Sequence, residues 1–417
     1  MTFELTSEQR DQRQAFRAFI EANVSQEAGV WDRTQTLPPD VPRKFARHRY
    51  LVPTLPREAG GFGLDMLSFG LLNEEAAAGC GSVRNLMGVQ GMVAHALLRW
   101  GGPKQKERYL ARIGTGETLA AFALSEPGTG SDATNVMTTA DDRDSHYVIC
   151  GTKKWVSFGQ LAGLYLVIAQ TRGKAGAFLV DRETPGLTVR PIRDLLGLRA
   201  SMLAELHFAN CEIPKENLLG NLGAGFDFIA NTALDYGRYS TAFGCVGLAR
   251  ACLEASLSHA HRRQQFGMPI ASHQLVQQML TDMIVLVESS RLLCLQAGWL
   301  RDRKDPDAIR HTLMAKYFAS THALKIASDA VQLHGASGCS AESSVERHWR
   351  DAKIQEIIEG TTQIQQIQIA KLSSPAGPQV VYGALPLNRV NQTESVDPAV
   401  SPPNEPTGSA VDAADRI

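Results

Sequence analysis

The 417-residue sequence predicts an α+β fold in which a β domain sits between two helical ones. Three observations predict it. Apolar residues recur at helical spacing up to about residue 113. Short β-rich runs divided by turn residues occupy about 119–225. Long segments from about 226 to 372 return to the helical period. The expected boundaries are 1–118 for an N-terminal α-helical domain, 119–225 for a central β-barrel, 226–372 for a C-terminal four-helix bundle, and 373–417 for a disordered tail.

The first helix opens at Ser7-Glu-Gln-Arg, with Ser7 as a cap and Phe16, Phe19 and Ile20 on one face. Breaks at Pro56–Gly63 and Gly101-Gly-Pro103 divide the helices that follow. The β-rich runs include Tyr147-Val-Ile, Lys154-Trp-Val, Leu164–Ile168, Ala177–Val180 and Glu205–Phe208, and Pro214 with the glycines at 220, 223 and 225 closes that domain. Helical spacing then covers roughly 226–263, 273–302, 307–334 and 350–372, four long amphipathic segments that make a bundle. Past Ser373 the chain loses periodicity, and its Asn391-Gln-Thr393 sequon carries no weight without a secretion signal.

Hydrophobic content of 44%, charged content of 20% and a formal net charge of −1 belong to an ordinary globular chain. They give no reason to expect nucleic acid or an anionic membrane as partner. Seven scattered cysteines form no CxxC pair, which suits free thiols in a reducing compartment. The N-terminus lacks an apolar signal core and no run approaches a membrane-spanning length, so the expectation is a cytoplasmic protein. No metal site is expected.

The common nucleotide-binding motifs are missing. Gly128-Thr-Gly130 lacks a third glycine and a βαβ setting, and there is no Walker loop, zincin helix or GxSxG elbow. What remains is Ala121–Asp132, a strand running into a Gly-rich loop whose amides and Ser125 and Ser131 hydroxyls could hold a flat polar ring edge or a phosphate. A structural turn is the equal reading. Trp155 and Ser157 follow on the next strands, and the tryptophan alone reads as core.

The stretch Arg350–Gln365, RDAKIQEIIEGTTQIQ, organises the rest. Ile354, Ile357 and Ile358 share a helical face, Glu359-Gly360-Thr361-Thr362 interrupts it, and the period resumes with Ile364 and Ile367. A carboxylate at a helix break between apolar neighbours can be desolvated, which raises its pKa and suits it to act as a base. On that stretch alone, a surface carboxylate before the next helix is the plainer reading. The upstream motifs reverse the order.

SEPGTGSD (125–132), GTKKWVS (151–157), RRQQFGMPIASHQ (262–274), QLHGASG (332–338) and the Arg350–Gln365 stretch occur in order across the helix–β–helix layout. Together they resemble the acyl-CoA dehydrogenase family of flavoproteins, over roughly residues 5–371. The resemblance implies that family's fold, an FAD cofactor, and a homo-oligomer, tetramer or dimer. It implies that Glu359 is the catalytic base, that Ser125, Gly130, Ser131, Trp155 and Ser157 line the isoalloxazine side of FAD, and that Thr361 and Gln363 also face the cofactor. Arg263, Phe266 and Gln274 match positions that reach the FAD of a neighbouring subunit, and Gln332 and Gly335 match contacts to its pyrophosphate region. Asp235 and Arg238 fall where the family holds the pantetheine arm and braces the active site, and Ser131 and Gly360 are counted with the substrate contacts. A second group of family members carries the base at the position that is Gly237 here, which supports Glu359.

Two departures matter, the first at a cofactor contact and the second at the substrate pocket. GGxG reads Gly335-Ala-Ser-Gly338, and Ser82–Gly91 places Arg84 on a helix that lines the acyl pocket in fatty acyl-CoA members. Arg84 resembles the carboxylate-holding arginine of glutaryl-CoA dehydrogenases; a surface arginine bonded to Glu74 or Glu75 is the alternative. The run around Arg84, with Phe243–Cys252 and Ile357–Thr361, is more similar to family members of polyketide and nonribosomal peptide pathways. Those oxidise short polar acyl groups on an acyl carrier protein, as on the route to hydroxymalonyl or methoxymalonyl extender units. The leading expectation is therefore an FAD-dependent dehydrogenase of a carrier-bound acyl thioester, with a catabolic acyl-CoA dehydrogenase or a non-catalytic flavin scaffold as alternatives. Electron transfer flavoprotein or another acceptor would reoxidise the flavin.

Overall fold

The structure is a computed structural model and describes residues 4–374. The expected 373–417 tail and its sequon lie almost wholly outside the described residues.

The N-terminal part holds helices α1 (Ser7–Ile20), α2 (Ala28–Thr34), α3 (Asp40–Arg47), α4 (Met66–Gly79), α5 (Gly81–Trp100) and α6 (Pro103–Gly114). The cap of α1 is Thr6 rather than Ser7: Thr6 and Gln9 exchange side-chain and backbone bonds in a capping box. Helices α4 and α5 are buried almost all round because α7 covers them from the bundle side.

The β domain is an eight-stranded mixed sheet. Its strands are β1 (Ala120–Ala123), β2 (Thr139–Asp142), β3 (His146–Val156), β4 (Leu164–Thr171), β5 (Lys174–Asp181), β6 (Leu187–Pro191), β7 (Ala204–Pro214) and β8 (Leu218–Leu219), ordered β6-β7-β3-β2-β4-β5-β8 with β1 parallel to β4. Strand β4 explains how the sheet joins the helices. Its near-continuous apolar run turns Leu164, Leu166 and Ile168 toward the helical core. Tyr165, Val167 and Ala169 face the core of the β domain instead. A period of two feeds both cores from one strand.

The bundle is α7 (Asn231–Arg262), α8 (Gln274–Asp302), α9 (Ala308–His334), α10 (Ser344–Ile357) and α11 (Thr362–Ser373). The last predicted segment is thus two helices, and its first begins at Ser344 rather than near residue 350. Contrary to the sequence expectation, α8 is long and apolar enough to cross a membrane by length and composition. It packs against α7, α9 and α4 with Leu280, Met283, Val287 and Cys294 buried, and a core helix of a bundle has this same character.

Glu74 and Glu75 are buried on α4. Arg13 and Arg250 bond both, Arg17 adds to Glu75 and Arg291 to Glu74, which ties α1, α4, α7 and α8 together. Arg84 belongs to neither glutamate, so the alternative of a surface pair fails. Arg350 clamps Asp32 through both of its terminal nitrogens, and Asp351 accepts the Leu198 N–H at 2.6 Å. These contacts fix α10 against α2 and the loop before β7.

Candidate active site

The break between α10 and α11 is the centre of the site. Helix α10 stops at Ile357; Glu359 (φ 57°) and Gly360 (φ 93°) take left-handed backbone, and Thr361 restarts the helix by accepting the Ile364 N–H on its hydroxyl. Glycine takes such a φ freely. A glutamate there costs on the order of 1 kcal/mol, a strain that persists only where its surroundings hold it. They do. The Glu359 carbonyl accepts from Arg238 Nε and from Gln365 Nε2, both at 3.0 Å. The Gly360 carbonyl accepts from Gln365 Nε2 at 3.0 Å and Lys316 Nζ at 2.8 Å.

This turn aims the Glu359 side chain inward. Its Oε2 is buried and has no hydrogen-bond partner among the described residues. Burial drives the pKa of the carboxyl up from its ordinary 4.5 to about 7, although Arg238, Arg84 and Lys316 pull the other way. Space for it comes from Gly237 on α7, where a Cβ would stand 2.6 Å from the Glu359 carboxyl.

Glu359 borders a cavity of about 780 Å³ walled by all three parts of the chain. Helix α5 contributes Asn85, Val89 and Met92, and the Gly-rich loop contributes Leu124–Ser131. Trp155 and Ser157 come from the end of β3 and the residues after it, Leu234 and Arg238 from α7, and Ile358–Thr361 from the helix break. The Gly-rich loop is braced from behind. Lys153 is fully buried and donates to the Leu124 carbonyl and to Glu126, whose carboxylate also accepts the N–H groups of Met137 and Thr138. A Cβ on Gly128 or Gly130 would meet nothing within 4 Å, so the loop's cavity face is an open cradle. Trp155 is not a core residue: it is 51% exposed with φ 63°. An open amide-rich loop beside a half-exposed indole suits a flat, polar-edged ring.

Ser125, Gly130, Ser131, Trp155, Ser157, Arg238, Glu359, Gly360 and Thr361 all line this one cavity. The other predicted residues lie elsewhere. Arg263, Phe266 and Gln274 cluster at the α7–α8 junction, where Phe266 is 90% exposed. Gln332 and Gly335 are exposed at the end of α9, and Gln363 is exposed on α11. Asp235 pairs with Arg301 at 2.5 Å. Arg84 is 1% exposed, with Nη1 donating to Thr241 and Nη2 to Gln355, and it lies off the cavity wall, one residue before Asn85.

Sequence reasoning missed Gln365, Lys316, Asn85 and the Glu126–Lys153 pair. Lys316 had a signal: it falls in register with Thr312, Ala319, Ser320 and Ala323 on the buried face of α9. Gln365 is the sole buried residue of α11, a helix whose other glutamines mask it.

Three family models match the chain in order: the acyl-CoA dehydrogenase N-terminal domain over residues 6–117, the middle domain over 121–211 and the C-terminal domain over 223–373. The chain belongs to the acyl-CoA dehydrogenase family. It is 39% identical over 364 residues to the mitochondrial short-chain specific acyl-CoA dehydrogenase of Rattus norvegicus, covering 86% of this chain and 88% of the relative. Among solved structures it is similar to a Mycobacterium smegmatis glutaryl-CoA dehydrogenase in complex with FADH2, with TM-score 0.84, 30% identity, and 88% and 94% of the two chains covered. It is also similar to FkbI, for biosynthesis of the methoxymalonyl extender unit of a polyketide, with TM-score 0.80, 31% identity, and 86% and 99% covered. This acyl-CoA dehydrogenase family member is an oxidoreductase acting on CH–CH groups, and its cofactor is FAD. The expected preference for the carrier-protein subgroup is not favoured, because likeness to the short-chain acyl-CoA relative is the stronger of the two.

Proposed function

We propose that the protein removes two hydrogens across the α,β-bond of a short acyl thioester carried by CoA, with Glu359 as base. The observation that carries this reading is the buried, unpartnered Glu359 Oε2 on the wall of a cavity that also holds an open amide cradle and a half-exposed indole. Ser125, Gly130, Ser131, Trp155, Ser157 and Thr361 would hold the flavin ring. When bound, FAD supplies the acceptor for the hydride leaving the β-carbon.

Glu359 takes the α-proton on Oε2. No backbone carbonyl accepts its own N–H among the described residues, which leaves that donor for the thioester oxygen, where negative charge grows as the proton leaves. Arg238 and Gln365 fix the carbonyl of the same residue, so base and donor are held by one turn.

Two observations support a short chain. The short-chain relative is one. The other is Met92 on α5, a bulky side chain on the cavity wall that lies beside Gly237 and Glu359. The exposure of Arg263, Phe266 and Gln274 supports their serving the cofactor of a second copy, as the family resemblance implies. Electron transfer flavoprotein or another acceptor would reoxidise the flavin.

The likeness to FkbI favours one second reading, oxidation of a short polar unit on an acyl carrier protein, with Arg84 as the charge behind the pocket. Anaerobic bleaching of the bound flavin separates the two. Butanoyl-CoA is expected to bleach it, and glutaryl-CoA and a glyceryl unit on carrier protein are expected to bleach it slowly or not at all. Bleaching by the carrier-bound unit alone would overturn the CoA assignment, and bleaching by glutaryl-CoA at the butanoyl-CoA rate would assign Arg84 to a distal carboxylate.

A further inference from the structure

Lys316 is 0% exposed in the middle of α9, yet no carboxylate pairs with it among the described residues. Its Nζ donates to the Gly360 carbonyl at 2.8 Å and to the Glu356 carbonyl at 3.3 Å. The Glu356 carboxylate turns away to Lys353. The charged or titratable groups around this point are Arg84 on α5, Arg238 and Cys245 on α7, and Glu356 and Glu359 on α10 and the turn after it. Burial pushes the Cys245 thiol up to about 12, so it stays neutral and offers no counter-charge. A buried ammonium held only by carbonyls is costly unless an anion forms nearby.

We propose that Lys316 is a positioning residue for the base: its ammonium locks the left-handed Glu359–Gly360 turn through the Gly360 carbonyl and supplies charge that favours the ionised carboxylate. This rests on the reading of Glu359 as base. Burial brings the lysine itself down to about 8, which leaves it mainly charged at the midpoint where Glu359 ionises, near 7. Arg238 and Gln365 hold the turn from the other side, so Lys316 contributes a charge and one hydrogen bond, and the two can be separated by substitution.

The test is the pH dependence of anaerobic flavin reduction by butanoyl-CoA in the FAD-loaded enzyme, for Lys316→Gln, Lys316→Met and Lys316→Arg. Gln keeps a donor and removes the charge, Met removes both, and Arg keeps both. The Gln variant is expected to move the midpoint of the acid limb up by about half a pH unit, with its plateau rate lowered no more than about threefold. The Met variant is expected to show the same movement with a plateau about tenfold lower, and Arg to restore the wild-type midpoint. If Met does not fold, Gln against Arg carries the test. Unmoved midpoints in the charge-removing variants overturn the role of Lys316 when Glu359→Gln is inactive. An active Glu359→Gln instead removes the base assignment on which the inference stands.

Discussion

Glu359→Gln is expected to slow flavin reduction by about 10³-fold, because the amide occupies the same space without accepting a proton. Flavin binding should survive, since the residues of the open cradle are untouched. The same variant carries a second signature with a definite sign. The folded carboxyl holds its proton up to about 7, whereas the unfolded chain gives it up near 4.5. The stability that this group contributes is therefore full below 4.5 and is lost as pH rises through 7. An amide has no proton to lose. The melting temperature of Glu359→Gln should match wild type in acid and exceed it by a few degrees on the alkaline side of neutrality. Full turnover by the variant, or a melting-temperature gap of the opposite sign, would rule out a desolvated base at this position.

Gly237→Ala is the second large effect. The added methyl would stand 2.6 Å from the Glu359 carboxyl and 2.9 Å from Met92 Sδ, both far inside contact distance. Helix α7 is buried against α4, α5 and α9 and cannot retreat, so the carboxylate must. Displacing a base by about an ångström costs roughly 10²-fold in rate. Reduction by butanoyl-CoA should fall by that factor, with the helix intact by circular dichroism and the flavin retained. A wild-type rate would show that the carboxylate works from a position clear of Gly237.

These effects follow from features that differ in how far the sequence discloses them. The helix–β–helix order was legible because period 3.6 and period 2 hold over long stretches. The turn at Glu359 was legible too, since isoleucines keep helical spacing on either side of a glutamate–glycine pair. The Gly-rich loop, Trp155 and Ser157 could be found as motifs, but their meeting with Glu359 depends on β3 and α10 reaching one cavity. The supporting residues were hidden because their signals are generic. Lys316 reads as one more charged residue on a long helix until α9 is seen to bury it, and Gln365 stands among three other glutamines on α11. Arg84 shows the reverse. Its motif was conspicuous, but the side chain lies behind the wall, bonded to Thr241 and Gln355. Helix α8 reaches a membrane-spanning length and composition that the sequence alone does not suggest, and that apolar length serves the packing of a bundle.

Catalysis by this route depends on a carboxylate that ionises near neutrality within reach of substrate. Its most direct test is the rate of anaerobic flavin bleaching by butanoyl-CoA across about pH 5 to 9, in wild type beside Glu359→Gln. The expected result is a wild-type rate that climbs with a midpoint near 7, where burial places the Glu359 carboxyl, and a variant that stays slow throughout. A wild-type rate that is flat over that range, or that is matched by the variant at high pH, would contradict it.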